Sequence, residues 1–100
     1  MRAFGDDVLT SPCGFVAVGE HLVIPELHAR VTVLDGKDQV VGCIGANEQV
    51  CDTEDWPNVP VDLWESGKFV SPHGVAADAE GNLYVVEWIV GGRIVKLQLA

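Results

Sequence analysis

The chain has 100 residues, 48% hydrophobic and 21% charged, with fifteen acids against six bases and a formal net charge of -9. That length allows one small domain or part of a larger one, and the composition is globular rather than disordered. The negative balance argues against nucleic acid and anionic membrane as partners, because both need a basic face.

No apolar run approaches the ~20 residues of a membrane-spanning helix. The first residues carry acids at Asp6 and Asp7 and no apolar stretch of the signal-peptide kind. A cytoplasmic location is the default expectation. Cys13, Cys43 and Cys51 are odd in number and form no Cys-x-x-Cys pair, so neither a disulfide framework nor a thioredoxin-type motif is expected.

In chain order, residues 13–24 read as two apolar stretches broken at Gly19-Glu20. Residues 30–35 (RVTVLD) alternate as a half-buried strand should. Asp35-Gly36-Lys37 then lies before QVVGCIG, and a short Asp-Gly turn between two such runs predicts a hairpin. The C-terminal part follows the same pattern, with GVAAD, a turn at Ala79-Glu80-Gly81-Asn82, LYVVEW, Gly91-Gly92 and RIVKLQL. Val, Ile, Leu and Tyr dominate these runs, which favours pleated surfaces. No segment carries a sustained helical stripe.

Residues 48–67 differ. They hold Glu48, Asp52, Glu54, Asp55, Asp62 and Glu65, no base, Pro57, Pro60, Trp56 and Trp64. This predicts a long connection packed by its own tryptophans, with one helical turn over 61–66 after Pro60. The acidic group Asp52, Glu54, Asp55 lacks the glycine and terminal Glu of a helix-loop-helix calcium site and reads as solvated loop.

Self-comparison finds a repeat. Ser11-Pro12-Cys13-Gly14 recurs as Ser71-Pro72-His73-Gly74. Ala17, Leu22, Glu26, Arg30 and Leu34 then match Ala77, Leu83, Glu87, Arg93 and Leu97, in order. Each copy holds a strand after Ser-Pro-x-Gly, one ending at the Glu and one starting at the Arg. The first copy adds a fourth strand, QVVGCIG. A four-stranded antiparallel unit of ~40 residues is the size of a propeller blade.

Residues 71–98 resemble an NHL repeat. Pro72, Gly74, Asp78, Gly81-Asn82, Tyr84, Glu87 and Arg93-Ile94 fit that family's pattern in order. Residues 11–45 are similar but lack the strand-ending Asp and have Gly19-Glu20 at the turn. The resemblance implies an all-β chain of about two four-stranded antiparallel β-propeller blades, in a family whose propellers are commonly six-bladed. The expected organisation is a strand over 1–10 completing a neighbouring blade, a first blade over 11–47, an acidic inter-blade loop over 48–70, and a second blade over 71–100 lacking its outer strand. Residues 1–5 precede Ser11 much as QVVGCIG precedes Ser71, so a neighbouring copy is expected to supply the missing strand. Three copies of two blades give six, so a cyclic homotrimer is favoured. Val75, Val85, Ile94 and Leu97 are expected between blades.

His73 is the sharpest candidate for chemistry. Peptidyl-hydroxyglycine amidating lyases are NHL-type propellers that hold zinc with histidines in Pro-His contexts, and the resemblance extends to His73 alone. Cys13 stands at the matching place in the first repeat. Three His73 side chains around one axis would make a three-histidine zinc site, whose bound water has a pKa near ~7. The plainer reading is a polar histidine facing an axial funnel. Glu26 and Glu87 read either as carboxylates lining a ligand mouth or as intra-blade salt bridges to Arg30 and Arg93, the bridge being favoured because it recurs. Trp88 reads as a stacking platform or as packing between blades. His21 and His28 lie near turns and are expected exposed. Ser11 and Ser71 have no neighbouring base in the sequence, which disfavours a nucleophile.

Three functions follow as expectations. The first is a module binding a small molecule or a peptide and assembling with itself. The second is a zinc-dependent lyase or hydrolase with the metal on His73. A pure assembly unit is a third.

Overall fold

Alternating apolar runs become strands in the computed structural model, which describes residues 3–59, 64, 67–89 and 92–98. They are β1 (Val16–Val18), β2 (His21–Glu26), β3 (Arg30–Leu34), β4 (Val40–Ile44), β5 (Pro72–Ala77), β6 (Leu83–Glu87) and β7 (Arg93–Leu97). A 3-10 helix, Glu48–Asp52, opens the acidic connection. The helical turn expected over 61–66 falls almost wholly outside the described residues. The chain is all-β. It forms an antiparallel meander of four strands, β1-β2-β3-β4, and one of three, β5-β6-β7. No described helix is long and apolar enough to cross a membrane.

Register places the hydrophobic faces. Val16, Val23 and Val33 lie opposite one another across β1, β2 and β3. Val75, Val85 and Val95 do so across β5, β6 and β7. Directly opposed residues share a face. These two rows meet in one core with Val23, Val31, Phe69 and Val85 at its centre, joined by Val18, Ile44, Leu83 and Leu97. The two sheets therefore stack, with Phe69 buried between them.

The β3–β4 connection differs from the short Asp-Gly hairpin expected. It runs from Asp35 to Gln39, and the residue in the left-handed region is Asp38 (φ 62), not Gly36. Asp35 organises it: Lys37 N and Gln39 N donate to its carboxylate at 2.8 and 3.0 Å. The β5–β6 turn uses the same bonds, with Glu80 N and Asn82 N donating to Asp78 at 2.9 and 3.0 Å and Gly81 in the left-handed place. Such local side-chain bonds stand in for a backbone turn.

Asp78 accepts two more bonds, from Asn82 Nδ2 and Tyr84 Oη, both at 3.0 Å. The Asn82 side chain leads a set of bonds that outweighs a small burial penalty and holds the carboxyl down to about 2. A lowered folded-state pKa means that its stabilisation is complete above the ordinary value of ~3.9 and is lost as pH falls through the folded value. A carboxyl NMR titration should therefore place Asp78 near 2 in the wild type and higher in Tyr84→Phe. A wild-type titration near the ordinary value would show that the turn bonds do not hold in solution.

A second, smaller core underlies the acidic connection. Ala29, Val50, Val59, Val70 and Ile89 form it, with Cys51, Trp56 and Trp64 packed against it. Trp56 Nε1 donates to Val70 O at 2.8 Å, and Trp64 Nε1 to Val59 O at 3.2 Å. Both tryptophans thus pin the connection, as their presence in an acidic loop predicts. Asp52, Glu54 and Asp55 are exposed. Ahead of β1, residues 3–5 join neither sheet; Val8 N and Leu9 N both donate to Gly5 O.

Candidate functional site

The two Glu–Arg pairs are clamps inside the fold. Glu26 ends β2 and is fully buried. One of its oxygens accepts from Thr10 N at 2.6 Å and Ser11 N at 3.2 Å; the other accepts from Arg30 Nε and from Thr32 Oγ1. Arg30 passes the connection on by donating to Val8 O at 2.9 Å. In the second sheet, Glu87 accepts from Val70 N at 2.5 Å, Ser71 N at 3.1 Å and Arg93 Nε at 2.6 Å, while Arg93 donates to Lys68 O at 2.7 Å. The arginine and backbone donors and their acceptors follow the sequence repeat, whereas Thr32, which also donates to Glu26, has Val95 as its counterpart and no equivalent in the second clamp. Each clamp ties the segment entering a sheet to the end of its second strand and the start of its third. Burial alone would push the Glu26 carboxyl up, but the bonds from Arg30, Thr32, Thr10 and Ser11 win and hold it below the usual range.

The repeat also shows where it breaks. Leu27 N donates to Ser11 O, and Trp88 N to Ser71 O, so Leu27 corresponds to Trp88 and His28 to Ile89. Ser11 Oγ lies 2.6 Å from His28 Nδ1 and accepts from His28 N at 3.2 Å. The expectation that Ser11 lacks a neighbouring base is thus corrected: a contact across seventeen positions supplies one. The His28 ring stacks on Trp56 with centroids 5.1 Å apart. The described bonds of His28 include no carboxylate to orient the imidazole, which acyl transfer would need, and the Glu26 carboxylate that Ser11 N reaches is taken up by its clamp. The pair pins the start of the first sheet to the acidic connection.

With Ile89 in the place of His28, Ser71 Oγ is buried without a hydrogen-bond partner among the described residues. An unsatisfied buried hydroxyl costs about 1–3 kcal/mol. Ser71→Ala is therefore expected to be neutral or to stabilise by ~1 kcal/mol, whereas Ser11→Ala should destabilise. Equal losses in both variants, measured by urea unfolding, would contradict the difference between the two sites.

His73 lies on β5 and is exposed. Its ring centroid is 6.3 Å from that of Trp88, tilted by 43°. Trp88 is 59% exposed and, in a single chain, does not act as packing between the sheets. With Pro57, Asn58 and Ile89 it lines a hollow of about 280 Å3. Cys13 occupies the matching place before β1. It is half-buried, its Sγ lies 3.5 Å from Ser11 O, and burial pushes its thiol up. His21 and His28 are both exposed, as expected.

A zinc ion does not fit the described residues of one chain. Among the described residues no three His, Cys, Asp or Glu side chains gather to hold a metal. His73 brings one imidazole, and a raised thiol pKa disfavours the thiolate a metal needs. Glu26 and Glu87 are held inside their clamps. The structure brings His73 and Trp88 together, sets Cys13 near Glu26, and holds both Glu26 and Glu87 in their clamps. The chain matches no protein-family model, no curated protein and no solved structure.

Proposed function

We propose that the chain is an NHL-like β-propeller module, two blades per chain, that acts as a binding and assembly unit. The observation that carries this reading is the clamp found twice, Glu26–Arg30 and Glu87–Arg93. A device that fixes the entry of each sheet in the same way is what a fold built by repetition requires. The stacking of the two sheets through Phe69 adds support, since a repeat that cannot bury its faces alone is stabilised by its neighbour.

In this reading copies of the chain close into a ring, and three copies supply the six blades common in such propellers. The ligand-facing surface is the exposed His73–Trp88 pair beside its hollow, suited to a small molecule or a peptide with an apolar or aromatic group. Three His73 imidazoles would meet only in such a ring, so a metal there belongs to the assembly and not to the chain.

Sedimentation equilibrium with zinc analysis of the same sample tests this reading. The expected result is a mass of three chains. Each chain carries -9, so association should tighten as salt rises to ~0.15 M and screens the repulsion. A monomer that melts cooperatively at all concentrations would remove the assembly reading. Zinc bound to the ring and lost in His73→Ala would replace the binding module with the metal-dependent enzyme.

A further inference from the structure

The contact between the two sheets gives a pattern for a second contact that the single chain leaves unmade. Aligned by their clamps, residues 22–26 correspond to 83–87, and 30–34 to 93–97. Val31 therefore corresponds to Ile94, and Pro25 to Val86. In the first sheet this face is closed: Val31 is fully buried in the core beside Phe69, and Pro25 is fully buried too. In the second sheet it is open, with Ile94 70% and Val86 43% exposed. A groove of about 420 Å3 runs there, lined by Val86, Glu87, Gly92, Arg93 and Ile94. Ile94, expected between blades, thus lies on an outer face of the lone chain.

What closes the face in the first sheet is known in detail. β4 pairs with β3, placing Ile44 opposite Val31 and Cys43 opposite Thr32. Gly45 follows, and its carbonyl accepts from Phe69 N at 3.0 Å; a Cβ on Gly45 would lie 2.6 Å from the Phe69 ring. Phe69 then enters the core, and Val70-Ser71 enters the Glu87 clamp.

The N-terminal segment reproduces this sequence of contacts. The Gly5 carbonyl accepts from Leu9 N at 2.8 Å, and a Cβ on Gly5 would lie 2.7 Å from Leu9 Cδ1. Thr10-Ser11 then enters the Glu26 clamp. Gly5 is the counterpart of Gly45, and Leu9 of Phe69. Phe4 is by the same count the counterpart of Ile44, the residue that pairs with Val31. Yet Phe4 is 42% exposed, and residues 3–5 join neither sheet.

From these correspondences we infer that the β7 edge and the open face of β5–β7 receive a second copy of this chain. The residues before Gly5 of that copy pair antiparallel with β7, and its Leu9 covers the face beside Ile94 and Val86. Register follows from the first sheet: Val31 opposite Ile44 becomes Ile94 opposite Phe4, and Thr32 opposite Cys43 becomes Val95 opposite Ala3. The contact is head-to-tail, so it closes a ring or extends as a filament. This inference rests on the repeat reading proposed above and adds to it the surface and the register.

A disulfide between copies tests the register. Opposed residues in antiparallel strands have Cα atoms ~4.5–5.5 Å apart, within reach of a disulfide. Phe4→Cys and Ile94→Cys would be combined in the 100-residue chain carrying Ser at positions 13, 43 and 51. Both sites are exposed, so the fold should survive, which circular dichroism would check. The expected result is oxidation to covalent multimers, with far less from Phe4→Cys paired with Lys96→Cys. Separately, Ile94→Glu in the otherwise native chain should weaken association about 30-fold or more, as for an interface hot spot. Native-mass multimers that do not cross-link overturn this interface but leave the assembly reading standing. A monomer that cross-links within one chain overturns the second copy as the donor. A monomer that does not cross-link overturns both.

Discussion

Glu26→Ala and Glu87→Ala are each expected to destabilise the chain by about 3–5 kcal/mol, the usual result of removing one partner from a buried ion pair. The loss has two sources. The Arg30 side chain, only 18% exposed, would keep its charge without the carboxylate. The backbone N–H groups of Thr10 and Ser11, or of Val70 and Ser71, would lose their acceptor. Small domains hold about 5–15 kcal/mol in total, so either change would leave little. Glu26→Gln should cost less, because an amide oxygen can still accept while its NH2 group faces Arg30. Urea midpoints would measure all three. Variants within ~0.5 kcal/mol of wild type, the range of ordinary surface changes, would show that the clamp does not act as drawn.

The Glu26 clamp also sets an acid limit. The Glu26 carboxyl lies below the usual range, so its stabilisation is complete above the ordinary value of ~4.3 and is lost as pH falls through the lower, folded-state value. Glu26→Gln should lack that part of the pH dependence while keeping the part due to Asp78.

Gly45→Ala is expected to be the most damaging exchange of a glycine. A Cβ there would lie 2.6 and 2.7 Å from two atoms of the Phe69 ring and 3.0 Å from the Gly67 carbonyl, at φ +60. The left-handed conformation costs a residue with a Cβ about 1–2 kcal/mol. Displacing a buried ring from a packed core costs about 1–3 kcal/mol more. The sum is about 2–5 kcal/mol, near the cost of Phe69→Ala itself. Combining Gly45→Ala with Phe69→Leu should recover the steric share and leave the conformational one, so the pair should couple by ~1 kcal/mol or more. Gly5→Ala is the control: its Cβ meets the end of a flexible Leu9 side chain, which can turn away. Strict additivity between positions 45 and 69 would refute the contact.

Much of the fold was legible in the chain itself. Period-two apolar runs specify strands because alternate side chains face opposite sides of a sheet. Seven such runs appear as seven strands among the described residues. The repeat was legible because the Glu and the Arg form the same clamp in both copies, and Ser-Pro-x-Gly marks the entry whose backbone N–H groups donate to that Glu. The Asp78 turn was legible for the same reason, since its bonds reach no further than Tyr84. The Asp35 turn was half legible: Asp-Gly marked its position, but the side-chain bonds to Lys37 and Gln39 set a longer loop than the dipeptide suggests.

Tertiary structure alone decided the rest. Ser11 meets His28, and Gly45 meets Phe69, only because two segments distant in sequence are brought together when the sheets and the acidic connection pack. No periodicity encodes such pairs; they depend on which turn precedes them and on which ring fills the gap. Exposure of Ile94 and burial of Val31 show the same division. Both are apolar and hold the same place in the repeat, so local sequence treats them alike. Val31 is buried because the second sheet stacks on its face, and Ile94 stays open because, among the described residues of one chain, nothing of the kind stacks on its own.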